Sequence, residues 1–388
     1  MFLQTLIRRN QKLVRAAYKL HKDCRILPDS YVIDVDMLLQ NARRIADEAK
    51  RCGVRLYYMT KQIGRNPYIA QKLEALGYDG CVAVDFKEAE TMMKYGVKLG
   101  HVGHLVQIPK AAVNDIVNYA PEAITVYSAE KAKEISDAAL QAHRIQNIML
   151  RIVGKRSNIY AGQEAGCTVS ELEELIKKIQ TYKGVKLSGL TSFPCFLYDE
   201  RTQSVERTKN IEDLTEAKTY IESRFGIPIE QMNMPSVTSV RTVPLIKESG
   251  GTHGEPGHAL TGTTPFNVHD DSAEIPAYVY VSEISHTFKN KSYFYGGGFY
   301  PRGHFEHALI EDGDGTLALQ NVSAFPAGNI DYYLETPSQQ SIGKTVLACF
   351  RTQMFVTRSD IVLVEGIQSD APSIIGVYTG QGIKKEGD

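Results

Sequence analysis

Few side chains in this 388-residue sequence stand where covalent chemistry is expected, and Lys61 is the first of them. It ends the β-type run Tyr57-Tyr58-Met59-Thr60 and opens the segment Gln62-Ile63-Gly64-Arg65-Asn66-Pro67. Apolar neighbours favour the neutral amine of a lysine, the form that attacks a carbonyl carbon. An ordinary loop lysine has the same local sequence, so Lys61 carries weight only with partners. One set is Thr252-His253-Gly254-Glu255-Pro256-Gly257-His258. There the backbone N–H groups of Gly257 and His258 can receive a phosphate, because glycine lets a ligand approach the chain closely. Glu255 can hold a proton on a ring nitrogen; the alternative is a plain Pro-Gly turn with an exposed acid. A second set is Met234-Pro235-Ser236-Val237-Thr238-Ser239, whose hydroxyls sit between a strand and a helix. That position suits a phosphate, although simple helix capping is the commoner use of serine.

Three further groupings stay open on the residues alone. His101 and His104 lie three apart in a strand-like stretch, a spacing that permits metal ligation. With no carboxylate nearby in sequence, a cofactor-lining or structural role for His104 is the better expectation, and no metal is expected. Tyr293-Phe294-Tyr295-Gly296-Gly297-Gly298 brings three glycines together, which indicates backbone close to a ligand or a bulged strand. It lacks the strand-to-helix setting of a dinucleotide fingerprint. Cys349 is either a packed thiol or a reactive one.

These residues need a scaffold, and the sequence supplies a repeating one. From Ser30 to about Thr261, β-rich runs alternate with helical stretches. The runs are Tyr31–Val35, Arg55–Thr60, Cys81–Val84, His101–Val106, Ile124–Tyr127, Ile148–Val153, Leu187–Thr191 and Gln231–Met234. Asp36 is placed to cap the first helix and Gly53 to end it. Eight strand–helix units are what a (β/α)8 barrel of the TIM type requires, with a doubly wound open sheet as the competing architecture. In such a barrel the active site forms at the C-terminal ends of the strands, where Lys61 falls. Beyond Pro265 the pattern becomes β-rich and punctuated by turns, which predicts a smaller all-β domain. The expected domains are a helical segment over 1–27, the barrel over 28–265 and the β domain over 266–388.

Composition narrows the setting. Forty-four basic residues against forty-five acidic ones give no bulk attraction to nucleic acid or to an anionic membrane. The six scattered cysteines include no C-x-x-C pair and point to reduced thiols of a cytoplasmic protein. The N-terminal segment is basic, as transit peptides are, but Leu3, Leu6, Ile7, Val14, Ala17 and Tyr18 form a helical stripe and serine is absent. An ordered amphipathic helix is therefore expected there.

The order of the chemical groups is more specific than any one of them. Lysine on an early barrel strand, serine near the last, Pro-Gly soon after and Tyr-Gly in a following β domain resembles the alanine racemase-like, fold-type III enzymes that use pyridoxal 5'-phosphate (PLP). Within that group the chain resembles the bacterial YhfX-type proteins through Met59–Pro67, Gly103–Pro109, Glu255–Gly262 and Phe350–Asp360. The resemblance implies that Lys61 forms the Schiff base. It implies that Ser236 and the backbone of Gly257 and His258 hold the phosphate, and that Tyr295 is a second base delivered by the partner of a homodimer. Arg151 or Arg156 takes the place of the arginine at the cofactor phenolate or the substrate carboxylate. Two departures stand out. Glu255 replaces the arginine that alanine racemase sets against the pyridine nitrogen, as the decarboxylases also do, although His258 replaces the final arginine of their motif. Ser192 replaces the ring-stacking histidine of many relatives.

The resulting expectation is an amino-acid racemase with Lys61 and Tyr295 as acid–bases on opposite faces of Cα, and Tyr300 and His304 in reserve. A PLP-dependent decarboxylase or aldolase, a non-catalytic PLP carrier, and a PLP-free barrel with Lys61 as nucleophile are the alternatives.

Overall fold

Strands with apolar side chains on both faces must be covered on both faces, and a ring of parallel strands wrapped by helices does this. In the computed structural model, which describes residues 2–271, 274–299, 303, 305–326 and 328–386, the chain divides into two compact units. Tyr300 and His304 lie outside the described residues.

One unit comprises residues 43–60 and 70–257. Its strands are Arg55–Leu56, Tyr58–Met59, Cys81–Ala83, Leu99–Val102, Ala123–Val126, Gln146–Arg151, Val185–Thr191, Gln231–Asn233 and His253–Gly254. All pair in parallel, each with its neighbour in chain order. The ring closes because His253–Gly254 pairs with Arg55–Leu56. Arg55–Leu56 and Tyr58–Met59 are halves of one run broken at Tyr57, whose N–H donates to the Gly254 carbonyl at 3.1 Å. Counting that run once, the barrel has eight strands, the expected number.

The helices around it start and stop where local chemistry dictates. Asp85 accepts a hydrogen bond from the N–H of Glu88 and caps Phe86–Lys94; Ser128 does the same for Ala129–Gln141. Gly226, at φ +65°, ends Lys209–Phe225. Residues Ser204–Arg207, just before that helix, form a hairpin with Phe196–Asp199.

The other unit comprises residues 1–42, 61–69 and 258–388. Its sheet runs in the order Leu317–Asn321, His307–Glu311, Thr345–Ala348, Tyr278–Phe288, Ser30–Asp34, Asp360–Glu365 and Ser373–Thr379. Lys291–Tyr295 pairs with Tyr278–Phe288 and with Tyr333–Thr336. This corrects the reading of Tyr31–Val35 as the first barrel strand. Ser30–Asp34 runs antiparallel to Tyr278–Phe288 and parallel to Asp360–Glu365. The place in the barrel belongs to the two-residue strand His253–Gly254. Residues 1–42 group with the C-terminal sheet.

The helix after that first strand is Val35–Cys52, and Asp34, one residue before it, accepts from the N–H of Met37. Asp36, expected as the cap, lies in the first turn. The N-terminal stripe forms two helices, Phe2–Arg9 and Gln11–Lys22, with Leu3, Leu6, Val14 and Ala17 buried and Asn10 capping the second. Gln11–Lys22 packs on Tyr278–Phe288 and Thr345–Ala348. Among the described residues no helix is long and apolar enough to cross a membrane.

Ile33 is fully buried at the centre of this sheet. Ile33→Ala is expected to cost about 2–5 kcal/mol, measured as a lowered midpoint of denaturant unfolding. A cost near zero would contradict a central position for this strand.

Candidate active site

At the C-terminal ends of the barrel strands, polar side chains replace apolar ones while remaining buried. Glu255 follows the shortest strand and has 2% of its side chain exposed. Its Oε1 lies 2.7 Å from His101 Nδ1 and accepts from Asn233 Nδ2 at 2.7 Å. No described residue donates to its Oε2. Burial alone would raise this carboxyl's pKa. The hydrogen bond and charge of His101, the charge of His104 and the Asn233 amide outweigh burial and hold it well below the usual carboxylate range. The carboxylate partner that seemed missing beside His101 thus comes from a strand 154 residues away.

His104 is buried, its ring 5.0 Å from that of His101 and edge-on to Phe193 at 5.7 Å. Arg151 ends Gln146–Arg151 and is fully buried, whereas Arg156 is exposed. The Arg151 guanidinium lies over the Tyr127 ring and donates to the Gln163 carbonyl at 2.8 Å, while its Nε has no partner. Ser192 is buried and committed to the scaffold. Its hydroxyl donates to the Ile152 carbonyl at 2.7 Å and accepts from Asn210 at 3.0 Å.

Ser236 is half-buried and donates to the Phe196 carbonyl at 2.6 Å. The next residue, Val237, has φ +53°, a conformation that a β-branched side chain adopts only under constraint. The N–H groups of Ser236, Val237 and Thr238 meet no acceptor among the described residues, nor does that of Gly257. Successive unpaired amides at a left-handed turn form a concave anion site.

Lys61 belongs with the other unit and opens the 3-10 turn Lys61–Ile63 directly after the strand Tyr58–Met59. The rest of its motif is punctuation. Gly64 (φ +62°) and Arg65 (φ +52°) turn the chain, Asn66 accepts from the N–H of Ile69, and Pro67 begins the helix Pro67–Ala75. In the same unit Arg351 Nε lies 3.1 Å from His258 Nε2. The His258 ring is held well below the usual histidine range by burial first, then by the charges of Arg351 and Lys61.

Tyr295 ends Lys291–Tyr295, is 36% exposed and lies 5.9 Å from the Tyr333 ring. The glycines after it serve internal packing, since a side chain at Gly297 would strike Asp29 and one at Gly298 would strike Tyr280. Burial pushes the Cys349 thiol up to about 12, which makes it a packed thiol.

Residues 33–265 match the family described as alanine racemase, N-terminal domain. The chain belongs to that family. Residues 279–374 match the YhfX-like C-terminal domain. Over 383 residues the chain is 45% identical to the uncharacterized protein YhfX of Escherichia coli K12, covering 98% of this chain and 99% of that one. Among solved structures it is similar to D-threonine aldolase from Filomicrobium marinum, with TM-score 0.65, 16% identity and coverage of 91% and 94%. It is similar also to alanine racemase of Clostridium difficile 630, with TM-score 0.62, 17% identity and coverage of 90% and 98%. A diaminopimelate decarboxylase and a D-threo-3-hydroxyaspartate dehydratase share the fold, with TM-scores of 0.62 and 0.61. The alanine racemase-like, fold-type III family binds PLP.

The residues fit that cofactor. A phosphorylated pyridine with a phenolate oxygen needs an acceptor for its ring N–H, amides for its phosphate and a cation for its phenolate. Glu255 Oε2, the amides at Ser236–Thr238 and the unpartnered Arg151 Nε supply these chemistries. Sequence reasoning singled out His101 without its Glu255 partner and missed Asn233, because neither announces a partner locally.

His253, two residues before Glu255, stacks on Tyr57 at 5.1 Å, and its Nε2 has no partner. Burial, then the charge of Arg55, lowers its pKa to about 3. Its contribution is intact above pH 6.5 and is lost as the pH falls toward 3, because the unfolded chain takes up the proton first. About 2 kcal/mol of stability should disappear between pH 7 and pH 5. His253→Phe should remove that part of the slope in urea titrations; an unchanged slope would refute the assignment.

Proposed function

We propose that this chain is a PLP-dependent amino-acid racemase, cytoplasmic and homodimeric, with Lys61 and Tyr295 as its two acid–bases. The observation that carries the reading is a buried glutamate with one oxygen held by His101 and Asn233 and the other left open. It is the acceptor needed to keep a pyridine nitrogen protonated. When bound, the cofactor supplies an electron sink for a bond broken at Cα.

The chain's own residues then divide the work. Lys61 holds the cofactor covalently and moves a proton on one face of Cα. The Tyr295 hydroxyl moves the proton on the other face, and its partial exposure on an edge of aromatic side chains supports delivery to a partner subunit. Glu255 orients the ring. Ser236 with the amides of Gly257 and His258 holds the phosphate, and Arg151 faces the phenolate or the substrate carboxylate. His104 lines the ring pocket. Ser192 acts through Asn210 and the strand end, with its hydroxyl already engaged.

A second reading, decarboxylation or aldol cleavage of an amino acid, is favoured by Glu255 itself. A carboxylate strengthens the electron sink, whereas an arginine weakens it. That chemistry requires no second base.

Two measurements test the proposal. Purified protein should absorb as a bound B6 aldehyde, and borohydride should fix a pyridoxyl group on Lys61; neither should occur in Lys61→Ala. Incubation with L- and D-amino acids in D2O should put deuterium at Cα of both enantiomers. Tyr295→Phe should lower that rate by about 10²–10⁴-fold. Release of CO2 or aldehyde in place of exchange would select the lyase reading. Mixing inactive Lys61→Ala and Tyr295→Phe subunits should restore roughly a quarter of the parental sites if each site draws on both chains.

A further inference from the structure

Glu255 depends on a side chain that the cofactor reading leaves without a role. His101, in the strand Leu99–Val102, is fully buried, with Nδ1 2.7 Å from Glu255 Oε1 and Nε2 2.6 Å from Thr125 Oγ1. A ring nitrogen facing an ionised carboxylate carries the hydrogen, so Nδ1–H donates to Oε1. Nε2 faces the Thr125 hydroxyl, whose hydrogen rotates to suit, so the imidazole is held from both sides.

Asn233 Nδ2 converges on the same Oε1 at 2.7 Å and also reaches Thr191 Oγ1 at 3.2 Å. Both donors therefore pin one carboxylate oxygen, and the other is left as an acceptor. The backbone is held too, since the Glu255 N–H donates to Thr238 Oγ1 at 3.0 Å. The groups around the pair are the His104 ring at 5.0 Å from His101, the Tyr57 ring at 6.2 Å, and the Asn233 amide at 3.4 Å from Nδ1. His253 is linked to both partners through their charges.

We propose that His101 is a positioning residue for Glu255: with Asn233 it fixes Oε1, keeps the carboxyl ionised, and presents Oε2 as the acceptor for a ligand ring carrying an N–H. The identity of that ring rests on the PLP reading; the coupling of His101 to Glu255 does not.

The experiment separates the two. In the full chain stripped of cofactor, glutamate labelled with 13C at its side-chain carboxyl is titrated by NMR in the parent, His101→Asn and His101→Phe. Asparagine keeps a donor near the place of Nδ1, while phenylalanine keeps the ring and loses both hydrogen bonds. Losing a charge-assisted hydrogen bond to a buried carboxylate should raise the Glu255 midpoint by about 1–2 pH units in His101→Phe. The rise should be smaller in His101→Asn.

In protein loaded with PLP labelled with 15N in its ring, the ring nitrogen should report protonated in the parent and lose that signature in His101→Phe. If His101→Phe fails to fold by circular dichroism, Thr125→Val loosens the imidazole from its far side without touching Glu255, and a smaller rise is expected. A Glu255 midpoint that stays at the parental value in whichever variant folds overturns the proposal, even if PLP binds normally. A midpoint that moves in a protein that binds no PLP upholds the coupling and overturns the cofactor reading instead.

Discussion

A carboxylate that is almost wholly buried stays ionised only where hydrogen bonds and charge replace the water it has lost. Glu255 meets that condition through His101 and Asn233, and each of these comes from a different strand of the ring. The requirement therefore reaches well past one residue. Leu99–Val102, Gln231–Asn233 and His253–Gly254 must all end at the same level for the three side chains to meet. A parallel barrel is the arrangement that brings such ends together, because every strand points its C-terminus the same way. Thr125 and Thr191, on two further strands, complete the hydrogen bonding.

Closure of the ring rests on little backbone. His253–Gly254 is only two residues long, and the strand opposite it is broken at Tyr57. What compensates is side-chain packing and continuity of hydrogen bonds: the Met59 N–H donates to the Pro256 carbonyl at 2.9 Å. Tyr57 stacks on His253, with ring centroids 5.1 Å apart. The last strand is thus set by the residues that flank it as much as by its own ladder. Its end is also where Glu255 is held.

Legibility from sequence followed the range of the interactions. The position of Lys61 directly after a strand was readable because its surroundings are local: an apolar strand, then Gly64, Asn66 and Pro67 as turn, cap and first helical residue. Gly53 marked a helix end for the same reason. Ser30–Asp34 was misassigned because an apolar run followed by an amphipathic helix looks the same whether its neighbours lie in the barrel or in the C-terminal sheet. Only its hydrogen bonds to Tyr278–Phe288 and Asp360–Glu365 distinguish the two. His253–Gly254 carries no β-branched residue and no alternation, so nothing in its composition announces a strand. The pairing of His101 with Glu255 was invisible, as each residue meets its partner across more than a hundred positions. Ser192 was read from resemblance, and its engagement by Ile152 and Asn210 is equally long-range.

The proteins similar in fold to this chain are named for racemisation, aldol cleavage, decarboxylation and dehydration, so the fold alone selects no reaction. Selection has to come from side chains at two places: the group opposite a ring nitrogen, and the groups on either side of Cα. At the first, the proposed group is Glu255, an anion. An anion held by His101 and Asn233 is costly to build, since it buries a charge and two polar partners that an apolar core would not need. A site content with a weak electron sink would have no use for that expense. The buried network therefore favours chemistry that demands a strong electron sink; under the proposed function, the hydroxyl of Tyr295 would then determine whether a proton is returned on the opposite face of Cα.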